Sequence, residues 1–249
     1  MASRLFEFIA ARHEGPWGAV LDAGTGVHSA GWLAGLPTES LTLVTAAPAH
    51  ADQVRRSVPL RPADRLLVGD WADPAFLAGE SFDAVLADYL VGAVEAFAPY
   101  FQQALFDRLA RLVRGRLYLI GVDPYVVAEP DTASGRLVWE IGRFRDACLL
   151  LAGDRPYREY PAEWVLAQLD RAGFAVIEAR RFPIRYKAAF VDSQIDMALM
   201  RLPALPDPAL AEALRARGEA LRRAGLAAVA AKDGIRHGCD YVIVAERRP

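Results

Sequence analysis

Short apolar runs alternate with amphipathic stretches along the first half of the chain. Residues 17–22, 41–45, 65–69, 82–88 and 116–122 are brief and rich in Val, Leu, Ile and aromatic side chains, the pattern of buried strands. Between them apolar positions recur three and four residues apart. This spacing predicts helices over 27–36, 49–57 and 100–113, and another over 1–13 with Leu5, Phe6, Ile9 and Ala10 on one face. The uninterrupted centre of Phe82-Asp83-Ala84-Val85-Leu86-Ala87-Asp88 suits a strand covered on both faces, as in a parallel sheet. Strand–helix alternation of this regularity predicts a doubly wound sheet with right-handed crossovers.

Beyond residue 122 the rhythm changes. One helix is expected within 124–153, with Ile141, Phe144, Cys148 and Leu151 on one face, and another over 161–172, ended by Gly173. Residues 174–179 and 241–245 read as strands, 184–202 as either element, 203–208 as a linker, and 209–232 as an alanine-rich helix ending before Gly234. The whole chain, 1–249, is expected to be one domain. Its excursions 124–160 and 184–236 form a helical cap over the carboxyl ends of the strands and contribute to a substrate site, because long departures from a compact sheet are usually functional. The same helices also suit a homodimer interface.

Composition narrows the class without naming it. The chain of 249 residues has 53% hydrophobic and 24% charged residues and a formal net charge of −2. There is no basic block to argue for nucleic acid by bulk charge. No stretch approaches the roughly 18 uninterrupted apolar residues of a membrane helix, and the first 13 residues, which hold acids and arginines, do not read as a signal peptide. Cys148 and Cys239 lack the spacing of a zinc site or disulfide framework. The expectation is a cytoplasmic protein without a metal.

Candidate chemistry concentrates at Val20-Leu21-Asp22-Ala23-Gly24-Thr25-Gly26-Val27-His28-Ser29. A buried strand ends in an acid, the backbone reverses through two glycines, and a helix begins. Free N–H groups and the helix dipole make such a turn a site for anions and carboxylates. A dinucleotide fingerprint would need a third glycine where Ser29 stands, and an acid some 20 residues on, where the chain reads Val44-Thr45-Ala46-Ala47. A phosphate-gripping P-loop would need a following Gly-Lys-Ser/Thr, which is absent. A plain strand-to-helix connection is the remaining reading of the turn taken alone.

Taken in order, four features resemble those of class I S-adenosylmethionine (SAM) methyltransferases. They are Leu21-Asp22-Ala23-Gly24-Thr25-Gly26, Val68-Gly69-Asp70-Trp71, Phe82 to Tyr89, and Ala172-Gly173-Phe174-Ala175-Val176 leading to a terminal hairpin strand. The resemblance implies a Rossmann-like, seven-stranded, mostly parallel α/β sheet with an antiparallel hairpin strand. It implies SAM as cofactor and a small-molecule acceptor with an oxygen or nitrogen nucleophile. Asp22, Gly24, Thr25 and Gly26 would surround the methionine part, with His28 beside its carboxylate. Gly69, Asp70 and Trp71 would meet the adenine, and Asp88 and Tyr89 would stand beside the reactive methyl.

Asp88 is the candidate general base; it equally suits a structural acid at a strand end. The family's ribose-binding acid is replaced by Thr45, which offers one neutral hydrogen bond and no charge. That replacement also admits a non-catalytic binding module on the same fold, and a nicotinamide-dependent oxidoreductase is a third, weaker reading. Arg143, Arg145, Arg155 and Arg158 either bind an anionic acceptor or form a solvated face paired with Asp146, Asp154 and Glu159.

Overall fold

Side chains alternate strictly along the central strands, and the alternation builds two cores rather than one. In a computed structural model describing residues 3–248, Val20, Leu86, Tyr118, Ile120, Val242 and Val244 face one side. Their neighbours Leu21, Val85, Leu117, Leu119, Tyr241 and Ile243 face the other. Nearly all of these are fully buried, as expected for strands covered by helices on both faces.

The strands are β1 (Ala19–Asp22), β2 (Ser40–Thr45), β3 (Arg65–Val68), β4 (Phe82–Asp88), β5 (Val113–Val122), β6 (Phe174–Tyr186) and β7 (Ile235–Arg247). They form one sheet in the order β3-β2-β1-β4-β5-β7-β6, mostly parallel with one antiparallel hairpin strand. The order reverses between β1 and β4, the switch point beyond whose carboxyl ends doubly wound sheets bind ligands. Helices α1 (Arg4–Ala10), α2 (Val27–Ala34) and α3 (Pro48–Ser57) cover the first face. Helices α4 (Leu90–Phe97), α5 (Gln102–Leu112) and α7 (Ala162–Arg171) cover the second.

The chain divides into two compact units. One comprises Met1–Val122, Tyr157–Phe182 and Tyr241–Pro249; the other comprises Asp123–Pro156 and Pro183–Asp240. The second unit holds α6 (Ala133–Leu151), α8 (Ala188–Leu199) and α9 (Pro208–Lys232) around Ile141, Phe144, Cys148, Val191, Ile195 and Leu221. Gly218 and Gly225 face Phe144, Leu199 and Val191 closely enough that a Cβ would collide, so the helices approach through glycine. Arg145 is half-buried in this unit, bonded to Asp146, the Tyr125 hydroxyl and Gln194. It is therefore neutralised by Asp146 rather than solvated. Asp154 pairs instead with Arg201.

Several elements differ from the sequence reading. Helix α4 was not expected: Tyr89 begins it in a left-handed conformation with no side-chain cap, so the usual start signal is missing. Strands β6 and β7 are each 13 residues, longer than the apolar segments 174–179 and 241–245, because charged and exposed residues continue the pairing. Residues 184–202 split between the end of β6 and α8. Leu151 is half exposed and lies off the core face of α6. Among the described residues no helix is long and apolar enough to cross a membrane, and no three acids, histidines or cysteines gather as metal ligands.

One irregularity lies at the amino end of β4. The register of β4 against β5 shifts between Phe82 and Ala84, where β5 carries an extra residue. Gly115 sits there with its α-carbon turned onto the Asp83 carbonyl, well inside the distance a Cβ would need. The Asp83 carboxylate accepts from Ala19 N–H at 2.9 Å and from Arg114. Burial alone would raise its pKa, but those bonds outweigh burial and hold it below the ordinary carboxylate value. Gly115→Ala should therefore cost about 1–3 kcal/mol by overpacking, measured as a lowered urea midpoint; an unchanged midpoint would show that the bulge can relax.

Candidate functional site

The carboxyl ends of five neighbouring strands are tied by backbone hydrogen bonds that continue past the strands themselves. Ala23 N–H donates to Leu86 O at 2.8 Å, Thr25 N–H to Val44 O at 2.7 Å, Gly69 N–H to Thr45 O at 3.1 Å, and Tyr89 N–H to Ile120 O at 3.0 Å. These bonds gather the loops after β1, β2, β3 and β4 into one row. All eleven residues given catalytic or cofactor roles in the sequence fall in that row or in the first turn of α2.

The turn after β1 is the most constrained of the four. A Cβ on Gly24 would lie 3.1 Å from Leu90 Cδ1 and 3.7 Å from the Asp88 carbonyl, so the loop rests directly against the end of β4. Gly26, by contrast, has no atom within 4 Å of where its Cβ would stand. The backbone there opens onto free space, as a ligand-facing turn requires. Ser29 reaches back to accept from Gly26 N–H at 3.1 Å and so fixes the start of α2. The earliest N–H groups of that helix are left without intrahelical partners. His28, in that first turn, is exposed.

Thr45 is buried, and its hydroxyl oxygen accepts from Ala47 N–H at 3.2 Å, which leaves its proton available to donate. Asp70 is exposed and held in a tight turn by Ala72 N–H at 2.8 Å. Trp71 is 4% exposed and donates its indole N–H to the Ala23 carbonyl at 2.9 Å. It thus braces the turn after β1 from below rather than presenting a ring to solvent. Gly69 is needed because the Phe76 ring occupies the place of its side chain, and Phe76 stands edge-on to Trp71. Asp88 and Tyr89 are half-buried. The φ of +50° at Tyr89 is unusual for a bulky residue, and such conformations cluster at functional sites.

Sequence reasoning missed Leu90, Phe76 and the capping role of Ser29. Leu90 and Phe76 carry no chemistry of their own and are recognisable only once their glycine partners are seen across the fold. Ser29 had a local signal in its place three residues after Gly26, but it was weighed only as a missing glycine.

Among solved structures, the chain is similar to a candidate methyltransferase from Bacillus halodurans, at 14% identity and a TM-score of 0.62 over 99% of this chain and 100% of that one. It is similar to a SAM-dependent methyltransferase from Geobacter sulfurreducens in complex with S-adenosyl-L-homocysteine, at 16% identity and a TM-score of 0.55 over 100% and 92%. It is also similar to the [4+2]-cyclase SpnF, at 18% identity and a TM-score of 0.58 over 99% and 80%. No family model matches the sequence, and no curated protein sequence does. The chain has the class I SAM methyltransferase fold.

Two buried side chains at the centre of the row have no hydrogen-bond partner. Neither oxygen of Asp22, which is wholly buried, nor the hydroxyl of Thr25 makes a hydrogen bond. Burial raises the Asp22 carboxyl from 3.8 to about 6; Ser29, Thr25 and the Gly24 N–H lie near enough to soften that rise without satisfying the group. The folded state therefore retains a proton between about pH 4 and about pH 6 that the unfolded chain has released. Stability of the unliganded protein falls as pH rises through that window and then levels off, by roughly 3 kcal/mol in all at about 1.4 kcal/mol per pKa unit. Asp22→Asn removes the charge, so its stability relative to the parent chain should climb across the same window in urea titrations. A difference that stays flat with pH would contradict the buried, unpaired carboxylate.

Proposed function

We propose that the protein is a SAM-dependent methyltransferase that transfers a methyl group to an oxygen or nitrogen nucleophile on a small molecule. The observation that carries this reading is the buried, unsatisfied pair Asp22 and Thr25 beneath a turn whose Gly26 opens onto free space. Buried polar groups are normally paired, and an orphaned pair in a strand-end loop is the mark of a ligand's place. When bound, SAM supplies a methyl group on a cationic sulfur, a carbon already activated for displacement, so positioning accounts for most of the acceleration.

The residues then divide the work. Asp22 offsets the cationic end of the methionine part, and the Thr25 hydroxyl finds a partner in its polar groups. The backbone through Gly24 and Gly26 and the amino end of α2 with His28 meet its carboxylate. Thr45 donates its free hydroxyl proton to the ribose. Asp70, beside Gly69, accepts from the adenine amino group, while Trp71 stiffens the loop between them. Asp88 takes the proton that leaves the acceptor, and Tyr89, fixed in its strained conformation, orients that carboxylate. Acceptor selection belongs to the excursions 124–160 and 184–236.

A second reading is supported by the neutral Thr45 and by the likeness to a protein named for cyclisation: the fold binds its cofactor without transferring a methyl group. Calorimetric titration with S-adenosyl-L-homocysteine, and with NADPH as the contrast, tests the cofactor assignment. The homocysteine compound should bind one per chain, with Asp70→Ala weakening it by about 1–3 kcal/mol through the lost charge-assisted bond. Thr45→Asp should tighten it by restoring a charged acceptor at the ribose. Failure of the folded parent chain to bind it, or preference for NADPH, would overturn the proposal.

A further inference from the structure

The second unit contains a cavity that the cofactor reading leaves unexplained. It is open to solvent on one side, has a volume of about 640 Å³ and is lined by residues of that unit alone, in the size range of small-molecule sites, roughly 300–1,000 Å³. Leu137, Ala228 and Ile235 supply apolar wall, Ser134 stands at the amino end of α6, and Lys232 and Arg236 supply the charge. Among the described residues no carboxylate lines it.

The charges in this cavity are available to a ligand. Lys232 and Arg236 form no ion pair among the described residues. Asp233, the acid between them in sequence, is held instead by Lys187 at 2.7 Å and Arg185 at 3.3 Å. Those contacts keep its carboxyl well below the usual range, with the Lys187 hydrogen bond the largest cause. The amino end of α6, whose Gly135 N–H is already taken by the Thr132 hydroxyl at 3.1 Å, adds a positive dipole of the same sign.

Glycines shape the walls. Gly234, at φ +114°, packs where any side chain would strike Arg185 and the Tyr186 carbonyl, and Gly135 lies against Pro130 and the His237 ring. The start of β7 can thereby approach the start of α6. An apolar wall with two unpaired cations and no acid excludes a cation and gives a bare inorganic anion no use for half of its lining.

We propose that this cavity binds a small amphiphilic carboxylate, its hydrocarbon body against Leu137, Ala228 and Ile235 and its head between Lys232 and Arg236. Arginine presents a planar fork matched to a carboxylate, and lysine a second point charge. The proposal does not depend on the cofactor assignment, which concerns residues of the other unit.

The test is calorimetric titration of the full chain with decanoate, decylamine and inorganic phosphate, each at the same ionic strength and below micelle formation. Decanoate should bind one per chain, while decylamine and phosphate should give no saturable heat. The double variant Lys232→Glu, Arg236→Glu should weaken decanoate at least tenfold, and Ala231→Trp, which narrows the cavity from exposed α9, should do the same. Circular dichroism and S-adenosyl-L-homocysteine titration of each variant report folding and the cofactor reading separately. Absent decanoate binding, equal binding of decylamine or phosphate, or unchanged decanoate affinity in the folded double variant would each overturn the proposal.

Discussion

The backbone of Ala23 is the point on which the strand-end row depends. Its N–H is held by the Leu86 carbonyl of β4 and its carbonyl by the Trp71 indole N–H from the loop after β3. Thr25 N–H, two residues on, is held by the Val44 carbonyl of β2. The four-residue loop from Ala23 to Gly26 is thus fastened to three different strands or their loops. Each bond contributes only about 1 kcal/mol net, but together they leave the turn no alternative path. Rigid placement of that kind is what a binding turn requires, since backbone donors that must first be ordered lose affinity to the cost of ordering them.

The same rigidity leaves Asp22 in an awkward place. The strand carries a carboxylate to the end of a fully buried run, and the fastened loop offers it no donor in good geometry. Its raised pKa is the direct expression of that mismatch. Proteins retain such groups where function uses them, and stabilising replacements at these positions commonly cost activity. The left-handed Tyr89, one strand over, belongs to the same kind of local strain supported by well-packed surroundings. Beneath both, the two cores supply the stability, through side chains such as Leu21, Val85 and Ile243 on one face and Val20, Leu86 and Val244 on the other.

The second unit is organised on a different principle. Its three helices close on one another through Gly218 and Gly225, where small size rather than hydrophobic bulk sets the distance. Its half-buried Arg145 is satisfied within the unit, its donors taken up by Asp146, Tyr125 and Gln194. Lys232 and Arg236, by contrast, are exposed and form no ion pair among the described residues.

Strand positions and the turn after β1 were written locally, in residues that act on their immediate neighbours. Short apolar runs placed β1, β2 and β4, and glycine at 24 and 26 marked a tight turn. The substitution of Thr45 for an acid was equally legible. What needed the tertiary structure were effects of residues distant in sequence. Helix α4 had no cap to announce it and is held by packing against β5 and α5. The outer parts of β6 and β7 are polar and become strand only because a partner is present to receive their hydrogen bonds. Trp71 could be read from sequence as a ring for a ligand, and only the Ala23 carbonyl 2.9 Å from its nitrogen makes it a brace. The difference is physical: periodicity and turn chemistry are decided within a few residues, whereas the partner of a buried polar group is decided by which distant segment the fold brings to it.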